Sequence, residues 1–413
     1  MISRNSTWVR KAGWDGHGPT LVFVLPWLGV LALAPVLATE TAPREPERKG
    51  RGFAYQHDED PKIPLSIHVL KVERSRADFE VHSTLAKGAT IGLGKMTEQT
   101  KALPPGLGKP IAAINGDFWK DGRYEGDPEG LQIMRGELIS APGERACFWI
   151  DTNGQPHATN VLSQLKVIWP NNTSTPIGLN EERADRAVVL YTSAVGPSTR
   201  TRRGRELILE RAGQGDWLPL RPGCTLSARV REVRESGDSP VSSNTLVLSP
   251  GSQSSAPDLS TGAVVQISTA MTPDLRGVLT AVAGGPALVR EGKVANFTAG
   301  PARHPRTAIG WNDKFYFFVV VDGRQPRLSL GISLQDLAAY MIKLGCEHAL
   351  NLDGGGSTTF WIYGHVMNSP CYGYERPMAN AVVLVQKPPN ESAAVFQSSV
   401  VSDVAPRGAS RSD

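Results

Sequence analysis

Apolar and polar positions alternate with a period of two at the start of the folded part of the chain. Leu65, Ile67 and Val69 face one way while Ser66, His68 and Leu70 face the other, the pattern of a strand. Short strand-like runs follow at Ile111–Asn115, Ala187–Thr192, Glu206–Glu210, Gly262–Ser268 and Phe315–Val321. Helical periodicity is rare. Its clearest instance starts at Ser333, with Asp336 placed as a capping partner, Leu334, Leu337, Ala338, Met341 and Leu344 on one stripe, and Gly345 to end it.

The continuously apolar Phe315–Val321 before this helix and His348–Leu352 after it predict a strand, crossover, strand unit with two parallel strands. The fold class expected is α+β: a strand-rich mixed sheet with few helices, a strand-helix-strand unit, and an inserted β-rich subdomain over residues 157–270, where turn residues are densest. Residues 65–387 form the expected main domain. Residues 39–64 are charged, carry prolines and lack apolar periodicity, which reads as a linker; residues 388–413, rich in Ser, Ala and Pro, read as a loose tail.

Arg4, Arg10 and Lys11 precede an apolar run from Leu21 to Ala38, with Val36 and Ala38 placed like the small residues before a signal peptidase cut. Residues 1–38 are therefore expected to be a signal peptide and the protein secreted or periplasmic. An uncleaved membrane anchor is the alternative, weakened by Pro26 and Pro35.

Composition changes this picture little. The 413 residues are 40% apolar and 20% charged, enough for a sizeable core. The formal charge of +4 is interleaved with Asp and Glu and forms no basic stripe, which argues against nucleic acid. Cys147, Cys224, Cys346 and Cys371 are far apart with no CxxC pair, and the eight histidines are scattered. Neither a metal nor another cofactor is expected.

Chemistry collects where strands end. Both parallel strands would deliver their carboxyl ends to one sheet edge, carrying Asp322-Gly323-Arg324 and Asp353-Gly354-Gly355-Gly356-Ser357-Thr358. A hairpin turn at Asn312-Asp313 would bring Arg306 to the same edge, where its planar fork suits phosphate oxygens. The three glycines could let successive amides converge on an anion, with the Ser357 and Thr358 hydroxyls beside them; a plain tight turn accounts for them equally. The strand Ile111–Ile114 ends in Asn115-Gly116-Asp117-Phe118-Trp119, a mixture of amide, carboxylate and aromatic groups that suits a sugar, or else an ordinary turn with core aromatics.

The segments Ala113-Ile-Asn-Gly-Asp-Phe-Trp119, Gly284-Gly-Pro-Ala-Leu-Val289, Pro305-Arg-Thr-Ala-Ile-Gly310, Val321-Asp-Gly-Arg324, Leu350-Asn-Leu-Asp-Gly-Gly-Gly-Ser-Thr358 and Glu375-Arg-Pro-Met-Ala-Asn380 occur in an order that resembles the phosphodiester glycosidase family. Ile177-Gly-Leu-Asn180 and Leu190-Tyr-Thr192 look like its bacterial branch. The resemblance spans roughly Leu65 to Gln386 and implies an exported hydrolase acting on a sugar-1-phosphodiester or phosphorylated glycan, with exopolysaccharide a frequent association of bacterial relatives.

On that reading Arg306, with Arg324 or Arg376 in support, stabilises the departing phosphate, and Gly354, Gly355, Gly356, Ser357 and Thr358 take its other oxygens. Asp353, then Asp322 and Asp117, are the candidate base or nucleophile, while an Asp before glycines could also fix its own loop. Asn115 and Gly116 are cast on the sugar side. The alternatives are a noncatalytic binder of exopolysaccharide or cell-wall phosphodiesters, and a phosphodiesterase that cuts the P–O bond.

Overall fold

The computed structural model describes residues 52–60 and 62–388. The expected signal segment, the first part of the expected linker and the tail beyond Pro388 lie outside them. The fold is α+β and strand-rich, with two α-helices among the described residues.

A seven-stranded sheet carries, in order, Phe53–Asp60, Leu65–Glu73, Phe315–Val321, Arg306–Trp311, His348–Asn351, Ala287–Arg290 and Lys293–Val294. Phe53–Asp60 falls in the stretch read as linker and corrects that reading. It pairs along its length with Leu65–Glu73, Phe53 opposite Val72 and Asp60 opposite Leu65. Its charges occupy a solvated edge position, so no apolar alternation marks it.

The helix forms at Leu334–Lys343 as its periodicity predicts: the Ser333 side chain accepts the Asp336 amide, and Gly345 takes φ +90°. Leu337, Ala338 and Met341 bury against the sheet, so closely that a Cβ on Gly310 would stand 2.5 Å from the Met341 methyl. The strand-helix-strand unit differs from expectation in one respect. Arg306–Trp311 lies between Phe315–Val321 and His348–Asn351 and is antiparallel to both, so these two run in the same direction without pairing. The preceding hairpin already fills the neighbouring slot, and the crossover has to pass it.

The other face of this sheet packs on a five-stranded sheet ordered His365–Val366, Phe360–Ile362, Lys109–Asn115, Ala381–Gln386 and Phe79–Ser83. Leu70, Phe318, Val320, Ile114, Phe360 and Val382 interlock between the two. The short helix Met96–Lys101 packs behind the second sheet.

Residues 166–268 contribute an eight-stranded sheet, joined to the rest through the paired strands Leu162–Ser163 and Met271–Thr272. Its apolar face shares one core with Ile133 and Trp149 of a further five-stranded sheet, so its packing does not stop at its own strands.

Candidate active site

Strand register brings the conspicuous residues to one edge. Arg306 pairs with Val321, the residue before Asp322, and Ala308 pairs with Asn351, two before Asp353. The facing sheet ends its strand Lys109–Asn115 at the same place.

Asn115 locks the two sheets together. Its Nδ2 donates to the Asp353 carbonyl at 2.6 Å, and its Oδ1 accepts from Thr307 Oγ1 at 2.6 Å and from the Thr359 amide at 3.2 Å, all in buried surroundings. This corrects its assignment to a sugar hydroxyl: its carbonyl oxygen already has two donors. Gly116 is likewise structural, because a Cβ there would sit 2.1 Å from Asn380 Oδ1. Its carbonyl accepts the Asp353 amide at 2.9 Å.

The glycine loop is a tight turn rather than an open nest of amides. The Gly354 amide donates to Asp353 Oδ1 at 2.7 Å, Gly355 to the Pro305 carbonyl at 2.9 Å, and Ser357 to the Gly354 carbonyl at 3.2 Å. Thr358 donates to Gly355 at 3.4 Å. The expected amide cradle is therefore corrected, since most of its donors are satisfied within the protein. The buried Thr358 Oγ1 has no partner.

The cationic groups are free in a way the amides are not. Arg306, Arg324 and Arg376 surround the loop: a Cβ on Gly354 would lie 3.7 Å from Arg306 Cδ, one on Gly355 would lie 3.0 Å from Arg324 Nη2, and Arg376 Nη1 is 3.4 Å from Ser357 Oγ. Among the described residues none of the three forms a salt bridge with a carboxylate. Arg306 makes one long bond, Nε to the Ile332 carbonyl at 3.4 Å, and Arg376 lies 4.4 Å from the Trp119 ring centroid. Burial and the neighbouring Arg324 charge push the Arg306 pKa down, and burial followed by both arginines does the same for His304. Three guanidinium groups around one turn, with no salt bridge among the described residues, have the chemistry to receive an anion.

The three aspartates separate in character. Asp322 is saturated: Oδ2 accepts from Ser66 Oγ at 2.9 Å and His68 Nε2 at 3.0 Å, and Oδ1 from Asn368 Nδ2 at 3.1 Å and the Ser369 amide at 2.9 Å. This corrects its place among the bases or nucleophiles; the carboxylate fixes the loop that presents Arg324. Asp353 is pushed up to about 6, first by burial and further by Glu129, against opposing bonds from Ser357 and Gly354 and the charge of Arg376. Asp117 is pushed up to about 7, again mainly by burial, although the Gly130 and Phe118 amides donate to it at 2.9 and 2.8 Å.

The sequence reading missed Glu129 and its partner Arg145, which form an ion pair over Phe118. Glu129 raises both Asp353 and Asp117, so it belongs to their electrostatic group. Nothing in the periodicity marks it; only its place next to Gly130, whose amide binds Asp117, connects it to the site. No cluster of three or more metal-ligating side chains occurs among the described residues.

Residues 226–385 match the phosphodiester glycosidase family. That stretch contains Arg306, Asp322, Arg324, the glycine loop and Arg376, and excludes Asn115, Gly116 and Asp117. Fold comparison gives a hypothetical protein from Synechocystis at TM-score 0.65, 19% identical, covering 81% of this chain and 62% of that one. An exported-protein candidate from Burkholderia pseudomallei gives TM-score 0.60 at 20% identity, covering 78% of this chain and 74% of that one.

In sequence, the uncharacterised SPbeta prophage protein YomE of Bacillus subtilis is 36% identical over 83 residues, which is 20% of this chain and 13% of that protein. The chain thus spans a small part of this curated relative. Among the described residues no helix is long and apolar enough to cross a membrane.

Proposed function

We propose that the protein is exported and hydrolyses the glycosidic bond of sugar-1-phosphodiesters, releasing the sugar and a phosphomonoester. The observation that carries this reading is the set Arg306, Arg324 and Arg376, three guanidinium groups around one turn with no carboxylate partner among the described residues. A phosphodiester is the substrate whose obligatory charge such a set matches. When its C1–O bond breaks, negative charge grows on the departing phosphate, and preorganised cations stabilise that state more than the ground state.

Asp353, with a pKa of about 6, is mostly ionised at neutral pH and suits the anomeric side as base or nucleophile. Asp117, with a pKa of about 7, is substantially protonated there and suits the acid role, although a phosphate leaving group asks little of an acid. Water supplies the oxygen that ends on the sugar carbon, and the phosphate keeps the bridging oxygen.

Hydrolysis of an N-acetylglucosaminyl phosphodiester in 18O-labelled water tests the reading. Label in the sugar is expected. Label in the phosphate would identify a P–O-cleaving phosphodiesterase, and binding without products a noncatalytic receptor. Export rests on the basic and apolar N-terminal pattern, and is tested by the mass of the mature secreted or periplasmic protein.

A further inference from the structure

Beside the arginines the chain exposes two large aromatic rings. Tyr372 is 53% and Tyr374 62% exposed, and their rings stack with centroids 6.1 Å apart and planes inclined by 29°. The backbone that carries them is held in a turn. The Gly373 amide closes a turn onto the Pro370 carbonyl at 2.8 Å, and Gly373 takes φ +77°, which turns the chain between the two tyrosines.

The same segment is tied to both halves of the arginine site. Ser369 donates through its amide to Asp322 Oδ1 at 2.9 Å and through its hydroxyl to Gln325 Oε1 at 2.9 Å, while Gln325 Nε2 donates back to the Ser369 carbonyl at 2.7 Å. On the other side the Tyr372 ring presses on Gly356, where a Cβ would lie 2.3 Å from the ring edge. The Tyr372 ring therefore sits against the glycine loop, and Tyr374 stacks on it.

We propose that Tyr372 and Tyr374 form a stacking platform for a sugar unit of a phosphoglycan, next to the phosphate site. The inference rests on the arginine set as a phosphate site. A pyranose presents C–H groups on one face and hydroxyls at its rim, which fits a flat, exposed ring with a polar edge better than it fits a closed apolar pocket. The charge next to the platform selects an anionic glycan over a neutral one.

Affinity electrophoresis in gels containing a phosphomannan, with inorganic polyphosphate as a charge-only control, tests the platform. The full chain should be retarded by the phosphomannan. The Tyr372→Ala/Tyr374→Ala variant should bind it at least fivefold more weakly and bind polyphosphate as before, while Tyr372→Phe should retain phosphomannan binding. No retardation of the parent protein overturns the platform, as does equal binding by parent and double variant, or an equal loss on both polymers. Hydrolysis of the small N-acetylglucosaminyl phosphodiester is scored separately: phosphomannan retardation that depends on the tyrosines, without any hydrolysis, overturns the glycosidase reading and keeps the platform.

Discussion

Replacing Arg306 should move stability and activity in opposite directions. Its guanidinium is half-buried, has Arg324 as a like-charged neighbour, makes one 3.4 Å bond to a carbonyl, and has no carboxylate partner among the described residues. The folded protein therefore holds this charge at a cost, which the downward direction of its pKa expresses. Arg306→Met keeps much of the aliphatic stem and removes both the desolvation and the repulsion, so the fold should gain about 0.5 to 1 kcal/mol, the usual yield of relieving a strained functional group.

Activity should fall by about a hundredfold to a thousandfold, or roughly 2.7 to 4 kcal/mol of transition-state stabilisation, as when one preorganised donor is lost from a charge-stabilising site. Arg306→Lys, with its charge retained but the fork gone, should fall between the two. Urea unfolding and kcat/KM on one phosphodiester substrate, measured on the same preparations, give both axes. Destabilisation by Arg306→Met with a proportionate loss of activity would refute the argument, because a structural arginine behaves in that way.

The pH profile of kcat/KM should rise through about pH 6 as Asp353 ionises and fall through about pH 7 as Asp117 loses its proton; Asp353→Asn should remove the rising limb, which steady-state assays from pH 4 to 9 will read. Both carboxyls have folded pKa values above the usual carboxylate range, so the native state holds more protons than the unfolded chain between about pH 4 and 7. Stability should fall as pH rises through that window, by at most about 1.4 kcal/mol per pH unit for each group, and Asp117→Asn should flatten the slope seen in urea titrations. Asn115→Ala leaves the Asp353 carbonyl and the Thr359 amide buried without that partner, and should cost about 3 kcal/mol of unfolding free energy. Gly356→Ala pushes the Tyr372 ring aside and should weaken phosphomannan binding in the same gel assay while circular dichroism stays native.

The elements most legible in the sequence were those whose period is set by one buried face. Ser333, Leu337, Met341 and Gly345 announce the helix from cap to stop, and the apolar run Phe315–Val321 announces a strand buried on both sides. The hairpin register put Arg306 at the edge of Asp322 without any contact between distant segments having to be guessed. Phe53–Asp60 was hidden because an edge strand has no need to alternate.

Polar side chains were read less well, and for a common reason: a sequence shows donors and acceptors but not whether a neighbour already satisfies them. Asn115, Asp322 and the Gly354 amide all have chemistry suited to a ligand; the first two are committed to partners far away in the chain, such as Thr307, Ser66 and His68, and the amide to its neighbour Asp353. Glu129 has the reverse history, unremarkable in sequence and placed by folding beside two aspartates.

The pairing of Phe79–Ser83 has a bearing on how the protein is made. Among the described residues its one partner strand is Ala381–Gln386, and Lys109–Asn115 likewise pairs with Phe360–Ile362 and Ala381–Gln386 alone. A ribosome delivers the amino-terminal members of this sheet long before the strands that close it, and contacts so distant along the chain form slowly. The nascent polypeptide cannot complete its sandwich until nearly the last described strand has emerged.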